Sequence, residues 1–296
     1  MSLVEVGFSL QPDAEFLDLL APVLPEVDYF EVAPETTWRR DEAGRWAPNG
    51  FHREFLRLGQ VLRKPFVGHA VAGSFGTVGE GDRARQQEWQ QRLVLDQRAF
   101  AFRWLTDHLG AAVLDGRAVA LPIALPMNES MAAVVRARLV ALQQVVADVG
   151  IENSVFYFLL GDWLDEPAFL TRILQPKHTH LLLDLHNVFT MAENVGVDAE
   201  RYLAALDCDR VIEIHLSGGS HSDARWLPDG RVLRLDSHDH AVPEPVWRLF
   251  ERVLPRCRRL RGVTLERMEG TVHGAADVDE LRSELRRIRE VLRGRS

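Results

Sequence analysis

The chain has 296 residues, 46% of them hydrophobic and 26% charged, a balance that fits a soluble globular protein and excludes disordered and fibrous classes. Lys and Arg number 35 against 43 Asp and Glu, so the net charge is −8 and neither nucleic acid nor an anionic membrane is an expected partner. Only two cysteines occur, Cys208 and Cys257, which excludes a disulfide framework and a Cys-based metal site; with 11 histidines, any bound metal would have nitrogen and oxygen donors.

In chain order, eight short apolar, β-rich segments recur, each followed by a helix-like stretch. They are Leu3–Leu10, Tyr29–Pro34, Pro65–Val71, Phe102–Leu109, Ile151–Val155, His180–Leu185, Val211–Ser217 and Gly262–Met268. The clearest helix is expected from about Asn128 to Val149, with Asn128 as N-cap, Gly150 as C-cap and an apolar stripe from Met131 to Val146. A second amphipathic helix follows Pro245, and a last one starts near Asp277. Eight strands alternating with helices predict a (β/α)8 TIM barrel in a single domain over residues 1–296, with a doubly wound open sheet as the main alternative. No G-x-G-x-x-G or G-x-x-x-x-G-K-[ST] fingerprint supports a nucleotide ligand. The N-terminus lacks a basic stretch leading into an apolar core, and no apolar run approaches the roughly 18 residues of a spanning helix, so a cytoplasmic location is expected.

In a barrel, catalytic groups sit at the C-terminal ends of the strands. The third expected strand ends at Gly68-His69-Ala70 and the fourth at Thr106-Asp107-His108. The fifth carries Glu152-Asn153, and the sixth ends at Asp184-Leu185-His186-Asn187. The seventh ends at His215 and is followed by a loop with Asp236-Ser237-His238; the eighth ends at Glu266. Taken singly, a strand-end His is more often structural, and an Asp after a strand is as readily a helix N-cap. Six consecutive strand ends delivering His or carboxylate to one mouth instead suit Fe, Mn, Zn or Co, because several unpaired carboxylates converging there would repel without cations. His178 and His180 lie at the opposite end and read as structural; His52, His221, His240 and His273 read as exposed loop residues, although His221 and His240 lie close enough in sequence to support the ligands from behind.

Gly68-His69, Thr106-Asp107-His108-Leu109, Glu152-Asn153, Leu181 to Val188, Glu213-Ile-His-Leu216, Asp236-Ser-His-Asp239 and Val242 to Trp247 resemble the multinuclear non-haem iron-dependent oxidative enzymes, the family that includes an enzyme of methanobactin biosynthesis. The resemblance runs from about Val6 to Glu269. It implies a xylose-isomerase-like TIM barrel with roughly two or three Fe ions, cycling between Fe2+ and Fe3+, and O2 as co-substrate. It further implies an oxidoreductase that modifies a residue, cysteine first, of a ribosomal precursor peptide, helped by a small leader-binding partner protein. The donor order is also similar to that of three-metal endonucleases of the endonuclease IV type, which makes a metal-dependent hydrolase or phosphodiesterase the alternative. Carried over by this resemblance, the metal ligands are His69, His108, Glu152, Asp184, Asn187, His215, Asp236, His238 and Glu266, with Asn187 standing where the endonuclease pattern has His. All but Asn187 are also the expected catalytic residues. Glu152 would bridge two ions; Asp107, Asn153 and His186 would support the ligands from behind. Ala70 stands where the oxidative family has Gly, and Arg267-Met268-Glu269 where an acidic residue usually follows Glu266.

Overall fold

A computed structural model describes residues 3–114 and 116–294. The strands in chain order are β1 (Glu5–Leu10), β2 (Tyr29–Val32), β3 (Trp38–Arg40), β4 (Trp46–Pro48), β5 (Phe66–Ala70) and β6 (Leu105–His108). They continue as β7 (Ala111–Leu114), β8 (Arg117–Ile123), β9 (Val149–Glu152), β10 (Thr179–Asp184), β11 (Val211–Leu216) and β12 (Gly262–Leu265). Eight of them, β1, β2, β5, β6, β9, β10, β11 and β12, pair in parallel in that order, and β12 returns to β1 to close the barrel. The expected (β/α)8 barrel is therefore the observed fold. Its strands are buried along nearly their whole length, which is why they read as continuous apolar runs rather than alternating ones.

The helices are α1 (Ala14–Leu20), α2 (Gly50–Leu62), α3 (Asp82–Phe100), α4 (Glu129–Leu142), α5 (Glu166–Ile173), α6 (Leu185–Val195), α7 (Ala199–Ala205), α8 (Glu244–Val253) and α9 (Ala275–Arg293). Side-chain caps fix several starts: Asp13 accepts from Phe16 N, Asn49 from Phe51 N and Asn128 from Met131 N. The expected start of α4 at Asn128 holds, but the helix ends at Leu142, short of Val149. Val149 and Gly150 belong to β9, where Gly150 pairs with Thr106 on one side and His180 on the other. A Cβ at Gly150 would come within 2.8 Å of the His180 carbonyl and 2.9 Å of the Thr106 methyl. This glycine thus serves close strand packing, not a helix cap. Helix α8 starts at Glu244, one residue before Pro245, and α9 two residues before Asp277.

Two antiparallel hairpins interrupt the βα alternation, β3–β4 after β2 and β7–β8 after β6. Both grow from C-terminal strand ends, so they rise beside the mouth; Ala112, Val119 and Pro122 of the second form part of its wall. Inside the barrel, Glu213 plugs the interior. It accepts from Tyr29 Oη (2.8 Å), Thr264 Oγ1 (2.6 Å) and Trp104 Nε1 (2.6 Å). Burial, and then the charge of Glu31, push its carboxyl pKa up.

Candidate metal centre

Three histidines of the mouth, His69, His108 and His215, are each held by one ring nitrogen and turn the other toward a carboxylate. His69 Nδ1 lies 2.9 Å from Thr106 Oγ1, and its Nε2 lies 3.4 Å from Glu152 Oε2. The Thr106 hydroxyl faces the Gly68 carbonyl at 3.4 Å, so it accepts from His69 Nδ1–H and leaves Nε2 as a lone pair. His108 repeats the pattern, with Nδ1 3.3 Å from the Ala70 carbonyl and Nε2 3.1 Å from Glu152 Oε2. His215 is fully buried; its Nε2 lies 2.9 Å from Glu31 Oε2, while Nδ1 lies 3.1 Å from Glu266 Oε2 and 3.9 Å from Glu152 Oε1. Glu152 therefore stands between the His69–His108 pair and His215.

Asp184 ends β10 and caps α6 at once. Its Oδ1 accepts from Asn187 N at 2.5 Å, which leaves Oδ2 for the mouth. Asn153 clamps the same peptide from both sides, donating Nδ2 to the Asp184 carbonyl and accepting Asp184 N, each at 2.9 Å. Asn187 points its Nδ2 at the Asn153 carbonyl (3.0 Å) and at Glu152 Oε1 (3.4 Å), so it steers Glu152 while its Oδ1 stays without a partner. Asp107 holds the backbone N of His108 at 2.6 Å rather than its ring.

His238 adopts a left-handed φ of 51°, an uncommon conformation for a non-glycine residue and one that clusters at functional sites. It brings Nε2 to 2.7 Å from Asp236 Oδ1 and 3.9 Å from Glu266 Oε2. His186 is buried behind them, with Nδ1 3.4 Å from Asp236 Oδ1 and Nε2 3.4 Å from both Thr190 Oγ1 and Arg234 Nη2. A guanidinium has only donors, which favours Nε2 as acceptor and Nδ1–H directed at Asp236. His186 then orients Asp236, though its position beside Asp236 and His238 also suits a third donor.

Among the described residues, Glu152 Oε2, Asp184 Oδ2, Asn187 Oδ1, His215 Nδ1 and Glu266 Oε2 of this mouth make no well-formed hydrogen bond; the Glu152, His215 and Glu266 atoms meet others only as close ion pairs. Orphaned buried carboxylate and imidazole atoms are costly, and here they converge. The pKa values show the same strain. Burial, and then Glu152, Asp236 and Glu266, push Asp184 well above the carboxylate range. Burial disfavours charge on His69 and His215, yet Glu152 raises His69 to about 9 and Glu266 raises His215 well above the ordinary imidazole range. Burial works against the ionised form of Glu266, but His215 and His238 hold its carboxyl down to about 2. The gathered carboxylates thus call for positive charge, which either imidazole protons or bound cations would supply. The donor set fits more than one divalent cation, held by His69, His108 and Glu152, by Glu152, Asp184 and His215, and by Asp236 and His238.

Residues 5–293 match the family of RiPP precursor modification enzymes MbnB/TglH/ChrH. The chain belongs to that family. It is therefore similar to enzymes that act on ribosomally made precursor peptides. A relative from Rhizorhabdus wittichii, described as a UPF0276 protein, is 33% identical over 256 residues, covering 86% of this chain and 84% of the relative. Among solved structures, a xylose isomerase-like TIM barrel/4-hydroxyphenylpyruvate dioxygenase fusion protein aligns with a TM-score of 0.61 at 10% identity, over 97% of this chain and 42% of that one. Endonuclease IV from Thermus thermophilus aligns at 0.53 and 16% identity, over 97% of this chain and 99% of that one. At such identities these two likenesses show the xylose-isomerase-like barrel alone. No helix among the described residues is long and apolar enough to cross a membrane.

Glu31 was not among the residues expected from the sequence, although it is fully buried and fixes His215. Its signal was a charged residue inside the four-residue strand Tyr29-Phe-Glu-Val32, where a carboxylate needs a partner. The other histidines stand as follows. His178 and His180 pair with Asp148 at the far end of the barrel. His221, His240 and His273 are exposed. His52, expected in a loop, lies on α2 with Nε2 3.5 Å from buried Asp96.

Proposed function

We propose that this enzyme is a multinuclear iron oxidoreductase that uses O2 to modify a side chain, cysteine first, of a ribosomal precursor peptide. The observation that carries the reading is the convergence of buried carboxylate and imidazole donor atoms without well-formed hydrogen bonds on one mouth; the family supplies the peptide. Glu152 would bridge one ion on His69 and His108 to a second on Asp184, His215 and Glu266, while Asp236 and His238, with Asn187 nearby, would hold a third. Bound iron would supply the electrons that reduce dioxygen and the Lewis acidity that holds a substrate thiolate.

The chain's own residues do the rest. Thr106, the Ala70 carbonyl and Glu31 fix the three imidazoles so that no ligand must turn when the metals arrive. Asn153 and Asn187 fix the two central carboxylates. The mouth is a cleft of about 390 Å³ whose walls include Val71, Ala112, Pro122, Val155 and Met268, apolar side chains that exclude water from the reacting group and suit a peptide segment. Cys208 and Cys257 are buried on the segments leading into β11 and β12, at the end away from the mouth, so a reacting thiol would come from the substrate. The reading includes a small leader-binding partner protein and a cytoplasmic setting.

The test is anaerobic loading with Fe(II), addition of a cysteine-containing precursor peptide encoded beside this gene together with any small partner encoded there, and mass spectrometry with and without O2. A mass change on the peptide that requires both iron and O2 is expected. A zinc-loaded protein that cleaves a peptide or phosphodiester without oxygen would overturn the reading in favour of a hydrolase.

A further inference from the structure

A second constellation of metal-binding side chains lies at the opposite end of the barrel. Asp148 immediately precedes β9, and His178 and His180 flank the start of β10. His178 adopts a left-handed φ of 59°, which brings its ring to the same carboxylate that His180, two residues on, reaches. His178 Nδ1 lies 3.0 Å and His180 Nε2 2.9 Å from a single oxygen, Asp148 Oδ1. The other oxygen, Oδ2, accepts from Arg261 Nη1 at 2.7 Å.

We propose that Asp148, His178 and His180 form a separate site for a borderline divalent ion such as zinc. In a tetrahedral site with bonds of about 2.05 Å, neighbouring donor atoms stand roughly 3.3 Å apart. The two N–O edges seen here would need to open by only a few tenths of an ångström. Arg261 on the distal oxygen does what outer partners of ligating carboxylates do, fixing the rotamer while leaving one oxygen free. It also offsets the carboxylate charge, so affinity rests on two imidazoles and one shared carboxylate. That set selects zinc, copper, nickel or cobalt over calcium and magnesium, which need several oxygens. His178, His180 and Arg261 line an open cleft of about 810 Å³ together with Lys177 and Arg259. The ion can therefore enter from solvent, and the cleft's lining, cationic on balance despite Asp207 and Asp209, suits an anionic fourth ligand or hydroxide. The plain alternative is that both imidazoles only donate hydrogen bonds to Asp148. The site does not depend on the reading of the mouth.

Zinc titration of the chelator-stripped full chain against a chromophoric competitor distinguishes the two. The His178→Ala/His180→Ala variant is expected to bind one zinc equivalent fewer than the parent, whereas His215→Ala keeps that equivalent. An equal number of equivalents in parent and double variant overturns the proposal. Should the double variant lose its native circular dichroism, His178→Ala alone decides. Its side chain is 67% exposed, so the fold does not depend on it. About a tenfold or greater weakening of one equivalent supports the site, and unchanged affinities overturn it.

Discussion

His215 shows at the scale of one residue what the fold does for the chemistry. Its two ring nitrogens face different carboxylates, Glu31 on one side and Glu266 on the other, and the ring is closed off from solvent. An Nε2–H held by Glu31 leaves the Nδ1 lone pair aimed at the mouth and makes it more basic. Replacing Glu31 with Ala should weaken metal binding at this position roughly 10–100-fold, and Glu31→Gln, which keeps an acceptor, should weaken it less. Competitive metal titration of the two variants measures this; equal affinity in parent and Glu31→Ala would show that Glu31 has no such role. The residues at strand ends were legible in the sequence because each apolar run stops at a polar donor. Glu31 showed only as a charge inside an apolar strand, and its partner is 184 residues away, so the pairing itself was not legible. The two roles of Asp184 were legible only as alternatives; in the structure Oδ1 caps α6 while Oδ2 is left without a hydrogen bond.

At the scale of elements, helix–helix contacts carry their own titration. Glu166 opens α5 fully buried and accepts Tyr202 Oη of α7 at 2.6 Å. Burial raises its pKa to about 8, with the Tyr202 hydrogen bond pulling the other way. Between the ordinary glutamate range near pH 4.5 and about pH 8, the unfolded chain gives up a proton that the native chain keeps. Stability should therefore fall as pH rises through that window, by up to about 1.4 kcal/mol per pH unit from this group. Glu166→Gln removes the titrating proton and keeps an acceptor. The difference in urea midpoint between variant and parent should grow in favour of the variant from pH 5 to pH 8. A constant difference would mean that Glu166 is ionised in the native chain. The barrel was legible in the sequence from eight apolar runs at regular intervals. The end of α4 was not: Val145 and Val146 continue the apolar stripe, but they lie in the turn before β9, where Val146 is buried in the core. The hairpin β7–β8 had its own signature, Asp115-Gly116 between two β-rich runs, with Gly116 at φ 74°. It was obscured by the strict strand–helix alternation that the rest of the chain obeys.

At the scale of the whole molecule, part of the acidic excess behind the net charge of −8 is buried at one place. Glu31, Glu152, Asp184, Asp236 and Glu266 are gathered at one end of the barrel, where Glu152, Asp236 and Glu266 line the cleft and Glu31 and Asp184 lie close behind. At the other end, Asp148 is shared by two imidazoles and Arg261. The barrel thus separates two donor sets of different character, a carboxylate-rich centre that suits several redox-active ions and a small imidazole-based site. The proposed chemistry rests on the first being a multinuclear iron centre joined by Glu152. Its most direct test is the iron content and the Mössbauer spectrum of protein loaded anaerobically with Fe(II), for the parent and for Glu152→Ala. More than one iron per chain is expected in the parent, in N/O coordination, with loss of the paired signal in the variant. A parent that holds a single iron, or a Glu152→Ala variant with the parent's full content and spectrum, would contradict it.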